Sequence, residues 1–258
     1  MKLKKLHPFG IQITSDNSQK SLLSVSGKAI HAFMTKHKFI LFKNFSIPTK
    51  TALAQFSKNL GPLLSWEFGH IMEMKPNPFT KNYLFTQGAV PFHWDGAFYQ
   101  APHYLIFHCV AAPETGCGGE TIFCNTEMLY RDATATEKMH WKKLSLTYRT
   151  EKLAHYGGNV SVPLIYQHPV TRKKTIRFAE PVSKEMLNPV SVHVNELDEP
   201  QSNYFIGEFS KKCYQDAYCY THLWQENDIL IADNFSLLHA RTAFTKASQR
   251  HLRRIQVL

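Results

Sequence analysis

Apolar residues along this chain recur with two different periods, and the changes between them outline the secondary structure. From Gly27 to Lys38, Ala29, Ile30, Phe33 and Met34 fall at helical spacing. Leu53, Phe56 and Leu60 repeat that spacing after Pro48-Thr49, with Gly61-Pro62 as the stop. Between these two helices, Phe39-Ile40-Leu41-Phe42 is a short continuous apolar run of the kind that forms a buried strand. Runs at Tyr104–Val110 and Asp228–Asn234 predict the same, and others at Ile11–Thr14, Gly119–Phe123, Leu146–Thr150, Ser161–His168, Thr175–Phe178 and Arg254–Leu258 predict further strands. Residues 125–143 predict one or two helices, and Glu199–Tyr214 a late one with Phe205 and Phe209 on one side. Lys75–Lys81, with Pro76 and Pro78, has no regular pattern and reads either as a lid beside a site or as a plain connection.

Many short strands with few helices predict a mainly β fold with peripheral helices, arranged as a double-sheet jelly roll able to hold a ligand between its sheets. No repeat or composition break divides the 258 residues, so a single domain spanning 1–258 is expected. Composition adds exclusions. Hydrophobic content of 43% and aromatic content of 13% rule out a disordered chain. Thirty Lys and Arg against twenty Asp and Glu leave a formal charge of +10, but the basic residues lie in short scattered runs. A solvated basic surface is therefore expected rather than a nucleic-acid stripe. A basic nucleic-acid-binding jelly roll stands as the non-enzyme alternative.

The five cysteines are odd in number and form no CxxC pair, which points to reduced thiols and a cytoplasmic protein. Met1–Lys5 resembles the start of a signal, yet no apolar segment follows it. No apolar stretch reaches the roughly eighteen residues of a membrane span, so neither export nor membrane association is expected.

The candidate chemistry centres on Pro91-Phe92-His93-Trp94-Asp95-Gly96. Residues two apart in an extended segment share a face, so His93 and Asp95 point together while Trp94 turns into packing. With His239 they make a set of two imidazoles and one carboxylate that leaves coordination positions open and suits non-haem Fe(II). Zinc is a chemical alternative for the same donors. An isolated His-x-Asp among 14 histidines is weak evidence, and the downstream arginines strengthen it. Arg250 offers a guanidinium to a dicarboxylate whose other end chelates the metal. Arg254, four residues on, shares its face along a strand while Arg253 faces away.

These residues resemble the TauD/TfdA group of Fe(II)- and 2-oxoglutarate-dependent dioxygenases, whose fold is a double-stranded β-helix of the clavaminate synthase-like kind. The resemblance implies that His93, Asp95 and His239 hold Fe(II). It implies that Thr121, in Gly118-Gly119-Glu120-Thr121, and Arg250 bind the distal carboxylate of 2-oxoglutarate, with O2 as the oxidant. A retained Asp95 argues against halogenation, since halogenating relatives lack that carboxylate.

Phe92-His93-Trp94-Asp95-Gly96, Phe107–Pro113, Ala154-His155-Tyr156 and the ending Arg250–Arg254 are similar to the PvcB-type subgroup of isonitrile biosynthesis. That likeness implies a small-molecule substrate, an amino-acid-derived isonitrile such as that of tyrosine or tryptophan. It also implies oxidation to a vinyl isonitrile, with or without loss of the carboxylate. Arg254, Trp94, Phe98, Tyr99, His155 and Tyr156 are then candidate substrate contacts, each with core packing or a salt bridge as the alternative. Thr86–Val90 and Lys75–Lys81 depart from the subgroup and are candidate substrate-facing loops. Hydroxylation of an amino acid or other small acid remains the alternative reaction, and a homo-oligomer is left open.

Overall fold

Phe39-Ile40-Leu41-Phe42 is apolar without a break because its strand is buried on both faces. In the computed structural model, which describes residues 1–46, 48–77, 79–151, 157–245 and 249–258, Phe39 and Leu41 pack on one side and Ile40 and Phe42 on the other. The chain begins with β1 (Lys2–Lys5), β2 (Ile11–Thr14), α1 (Gly27–His37), β3 (Phe39–Lys43), α2 (Lys50–Lys58), β4 (Met72–Met74) and β5 (Val90–His93). It continues with β6 (Tyr104–Ala111), β7 (Thr121–Asn125), α3 (Thr126–Asp132), α4 (Ala135–Trp141), β8 (Ser145–Thr150), β9 (Gly158–Pro163), β10 (Ile165–Gln167) and β11 (Lys174–Ile176). The last elements are β12 (Ser191–Val194), α5 (Glu199–Cys213), β13 (Cys219–His222), β14 (Ile229–Asp233), β15 (Leu237–Arg241) and β16 (His251–Val257).

A seven-stranded sheet in the order β1-β2-β3-β14-β6-β16-β4 faces a four-stranded one in the order β13-β7-β15-β5. The outer face of the large sheet (Ile40, Phe42, Ile106, Ile231) packs on α1 and α2 through Ile30, Met34, Leu53 and Phe56. Between the sheets lie Phe39, Leu41, Phe107, Phe123, Leu230 and Leu252. Phe92, Cys124, Leu238 and Ala240 turn the small sheet's other face toward α5 and β8. This is the expected double-stranded β-helix: three apolar layers, separated by the two-residue alternation of strands. Capping fixes the helix ends. The Ser26 side chain accepts from Ala29 N at the start of α1, and Lys38 closes it in the left-handed region at φ 64°.

Five strands escaped the pattern reading, among them β15, whose buried run Leu237–Arg241 is interrupted by His239 and Arg241. β1 is a run of exposed, largely basic residues on the sheet edge, paired Lys2↔Thr14 to Lys5↔Ile11. Lysines there discourage further pairing, so the strand carries no apolar signature. β4, β12 and β13 are three or four residues long and only partly buried. Ser161–His168 is two strands instead of one. Pro163 ends the first, and the chain turns at buried Leu164 to pair β10 with β11. Among the described residues no helix is long and apolar enough to cross a membrane, and all five cysteines are free.

Ile231 sits fully buried on the central strand β14. Its replacement by Ala is expected to lower the unfolding free energy by about 2–5 kcal/mol, read from denaturant midpoints. Leu3→Ala on exposed β1 should change it by less than about 0.5 kcal/mol.

Candidate metal centre and its two cavities

Strand register brings the two histidines together. His93, the last residue of β5, lies opposite His239 on β15, and β15 in turn places Arg241 opposite Thr121 on β7. All four occupy the alternate positions that face the space between the sheets. Asp95 lies beyond the end of β5, and its backbone is clamped by one side chain. Its N–H donates to Asn234 Oδ1 (2.9 Å), while Asn234 Nδ2 donates to Asp95 O (3.0 Å) and Pro102 O (2.9 Å). Gly96 then turns the chain at φ 88°, where a Cβ would stand 2.3 Å from Gln100 O.

The donor atoms converge without protons between them. His93 Nδ1 is 2.9 Å from the carbonyl oxygen of Pro91, which can only accept, so the proton sits on Nδ1 and Nε2 is left as a lone pair. Asp95 Oδ1 is 3.7 Å from His93 Nε2 and 3.6 Å from His239 Nε2, beyond hydrogen-bond reach. The other oxygen, Oδ2, accepts from Gln256 Nε2 at 2.6 Å and lies 3.0 Å from Arg254 Nη1, which also reaches Oδ1 at 3.3 Å. Donor atoms of His93, Asp95 and His239 lie within 4.8 Å of one another. A cation about 2 Å from each satisfies all three, so the set fits a metal.

Protonation agrees with that reading. Burial holds both imidazoles below the ordinary histidine pKa, and for His239 the neighbouring His93 adds to it. Burial alone would raise Asp95. Arg254, the two histidines and the Gln256 hydrogen bond outweigh it and keep the carboxyl below its ordinary value.

A small cavity of about 40 Å³ opens from this centre, lined by His93, His239, Thr121, Arg241, Arg250 and Arg254. Arg250 is 4% exposed, and burial lowers its pKa to about 9. It donates from Nε to Gly119 O (2.8 Å) and from Nη2 to Thr121 Oγ1 (3.4 Å), with no ion pair among the described residues. The Thr121 hydroxyl also accepts from Trp224 Nε1 (2.9 Å), leaving its own proton for a ligand. Gly119, at φ 85°, permits this approach, since a Cβ would meet Arg250 Cδ at 3.0 Å. A buried guanidinium without an acid calls for an anion, and a carboxylate of 2-oxoglutarate has the right charge and acceptors.

A larger cavity of about 250 Å³ meets the same centre at His93, Asp95 and Arg254. Trp94, Phe98 and Tyr99 line it as expected; Tyr99 is 67% exposed and packs on Trp66. Trp94 is also core, with the Arg177 guanidinium 4.4 Å from its ring. His155 and Tyr156 lie outside the described residues. Among the described residues, Asn82–Phe85 and Val90 line it and none of Lys75–Lys81 does, in keeping with the plain-connection alternative for that segment. Arg254 meets both cavities but is engaged by Asp95, so it serves the metal carboxylate before any substrate.

Sequence reasoning missed Asn234, Gln256, Trp224 and Arg241. Arg241 donates to the carbonyls of Tyr83 (3.1 Å), Leu84 (3.0 Å), Thr86 (2.7 Å) and Gly88 (2.6 Å), tying the cavity wall to the strand that carries His239. A second cluster, His103, His168 and Asp233, is hydrogen-bonded instead of open. His168 Nδ1 accepts from Val170 and Thr171 N–H groups, so Nε2 donates to Asp233 Oδ2 at 2.9 Å.

Residues 2–256 match the Taurine catabolism dioxygenase TauD, TfdA family. The chain is 40% identical to 3-((Z)-2-isocyanoethenyl)-1H-indole synthase of Fischerella ambigua, over 99% of this chain and 95% of that one. It is 30% identical to tyrosine isonitrile desaturase of Pseudomonas aeruginosa, over 96% and 87%. Among solved structures it is similar to PvcB, an Fe, alpha-ketoglutarate dependent oxygenase from an isonitrile synthetic pathway, with a TM-score of 0.81 at 25% identity, covering 99% of this chain and 91% of that one. The chain belongs to the TauD/TfdA dioxygenase family.

Arg241→Met removes four hydrogen bonds from a charged donor to the 83–88 segment. Amide exchange at Tyr83–Gly88 should accelerate by about 10- to 100-fold, the loss of roughly 1.5–3 kcal/mol of local stability, while exchange in β14 stays unchanged.

Proposed function

From that membership we propose that this Fe(II)- and 2-oxoglutarate-dependent oxygenase converts an isonitrile derived from an aromatic amino acid into the vinyl isonitrile. The carrying observation is one donor triad reached from two unlike cavities, a small cationic one beside Arg250 and a large aromatic-walled one. His93, Asp95 and His239 would hold the metal, and Arg250 with Thr121 would take the distal carboxylate of 2-oxoglutarate. Iron, 2-oxoglutarate and O2 bound there supply the oxidising equivalents, with succinate and CO2 as by-products. The names of the two relatives, an isocyanoethenyl-indole synthase and a tyrosine isonitrile desaturase, support the substrate class.

The chain's own groups do the positioning. Gln256 occupies Oδ2 of Asp95 and Arg254 spans both carboxylate oxygens, which would leave the histidine-facing side of Oδ1 to the metal. Trp66, Trp94, Phe98 and Leu84 enclose an aryl group and exclude water beside the reacting bond. Residues 1–258 act as one catalytic domain in this reading, because the large sheet draws β1 and β16 from the two ends of the chain.

Incubation with tryptophan or tyrosine isonitrile should give succinate and a product lighter by two hydrogens, with or without loss of CO2, by mass spectrometry. A product heavier by one oxygen would instead assign hydroxylation. His93→Ala and Asp95→Ala should each abolish succinate production while the melting transition persists; full activity in either would remove that residue from the metal site. Arg250→Leu should raise the KM for 2-oxoglutarate by about 10- to 100-fold, the worth of a charge-assisted contact. An unchanged KM would assign the anchor to another of the cavity's arginines.

A further inference from the structure

One carboxylate stands in the wall of the large cavity with no role in holding the metal. Glu180 lies beside Ala179, Val182 and Tyr148 there, among mainly apolar neighbours. It is rigidly placed. Its backbone N–H donates to Phe92 O (2.9 Å), and Phe92 N donates back to Glu180 Oε2 at 2.7 Å. Tyr214 Oη donates to the same oxygen at 2.9 Å. Oε2 is therefore committed, while Oε1 makes no hydrogen bond among the described residues. Phe92 immediately precedes His93, so the acceptor is fixed relative to the metal centre by a two-way link to the strand that bears a ligand.

Glu180 is half-buried, so water can reach its second oxygen, but an aryl substrate filling the apolar cavity would strip that water away, at a cost unless the substrate itself donates to that oxygen. The aryl groups named for the two relatives, an indole and a tyrosine phenol, each carry one donor at the ring, N–H or O–H. We infer that Glu180 is the specificity-determining acceptor for that ring donor, so that the cavity selects aryl substrates bearing N–H or O–H over isosteric rings that lack one. The inference rests on the large cavity being the substrate pocket. It extends that reading by assigning the contact that distinguishes one aromatic head from another. Once the substrate has displaced water from that acceptor, a ring that leaves it unpaired is rejected far better than by shape alone.

The test needs no turnover. Indole-3-propanoate and benzofuran-3-propanoate have the same shape, with ring oxygen replacing N–H in the second. Calorimetric titration of each into the anaerobic enzyme loaded with Fe(II) and 2-oxoglutarate should show about 10- to 100-fold tighter binding of the indole. Glu180→Gln keeps an oxygen for Phe92 and Tyr214 but turns an amide N–H toward the cavity, and it should lose or reverse that margin. Glu180→Leu should abolish the margin, and thermal melts check that both variants fold.

Equal affinities in the unaltered enzyme, failure of either probe to bind, or a preference that survives in the folded Gln variant would overturn the assignment. If the preference behaves as expected yet tryptophan isonitrile is not oxidised, Glu180 keeps its role and the proposed reaction falls.

Discussion

The site depends on a division of labour between the two oxygens of Asp95. A buried carboxylate is expensive, and this one is stabilised from two sides that do different work. Gln256 and Arg254, both inward-facing on β16, keep the group ionised, Gln256 at Oδ2 and Arg254 across both oxygens. The free side of Oδ1 is turned to Nε2 of His93 and of His239, a set of three atoms that a cation would draw together. Asn234 fixes the same residue's backbone. The metal centre is thus organised by strands of both sheets, and the arrangement makes sense only if the two sheets stay face to face.

That geometry explains what could be read in advance. Two-residue spacing brings His93 and Asp95 together even though Asp95 has already entered the turn after β5, and it places Arg250 and Arg254 on one side with Arg253 on the other, where it meets Glu73. His239 and Arg250 entered through their donor chemistry and Thr121 through a resemblance, and the register of β15 with β5 and β7 brings His93, His239 and Thr121 to one face. Asn234, Gln256, Trp224 and Glu180 left no local signal. Each acts through a contact with a residue far along the chain, and a lone Asn or Gln in an apolar strand looks the same whether it clamps a ligand or caps a turn. β1 was illegible for the opposite reason, since a solvent-exposed edge strand has no buried face to impose a pattern.

Net charge misleads in a similar way. An excess of ten positive charges invites a search of the surface, yet Arg241, Arg250 and Arg254 are all buried around the small cavity. Their partners divide by task. The Nη groups of Arg241 donate to backbone carbonyls, Nη1 of Arg254 to the metal carboxylate, and Arg250 to a carbonyl and a hydroxyl only. The one among them with neither a carboxylate nor a full set of carbonyls is the one placed to receive an anion.

Arg254 then faces competing demands. Its Nη1 is held by Asp95 and its Nη2 points at the Met72 sulfur, while Nε is buried without a partner among the described residues, and the side chain borders both cavities. A substrate carboxylate that captured the whole guanidinium would release Asp95 and loosen the metal. One that approached along the Nε edge would instead share the cation and leave the Asp95 contact in place. Among the described residues that cavity has one shared cation at the metal end and an apolar body, a shape that holds a ligand mainly through its apolar part. Under the proposed reaction, recognition of the aryl head would then be the larger part of specificity, and the chemistry at the carboxylate end would stay free to retain or release CO2.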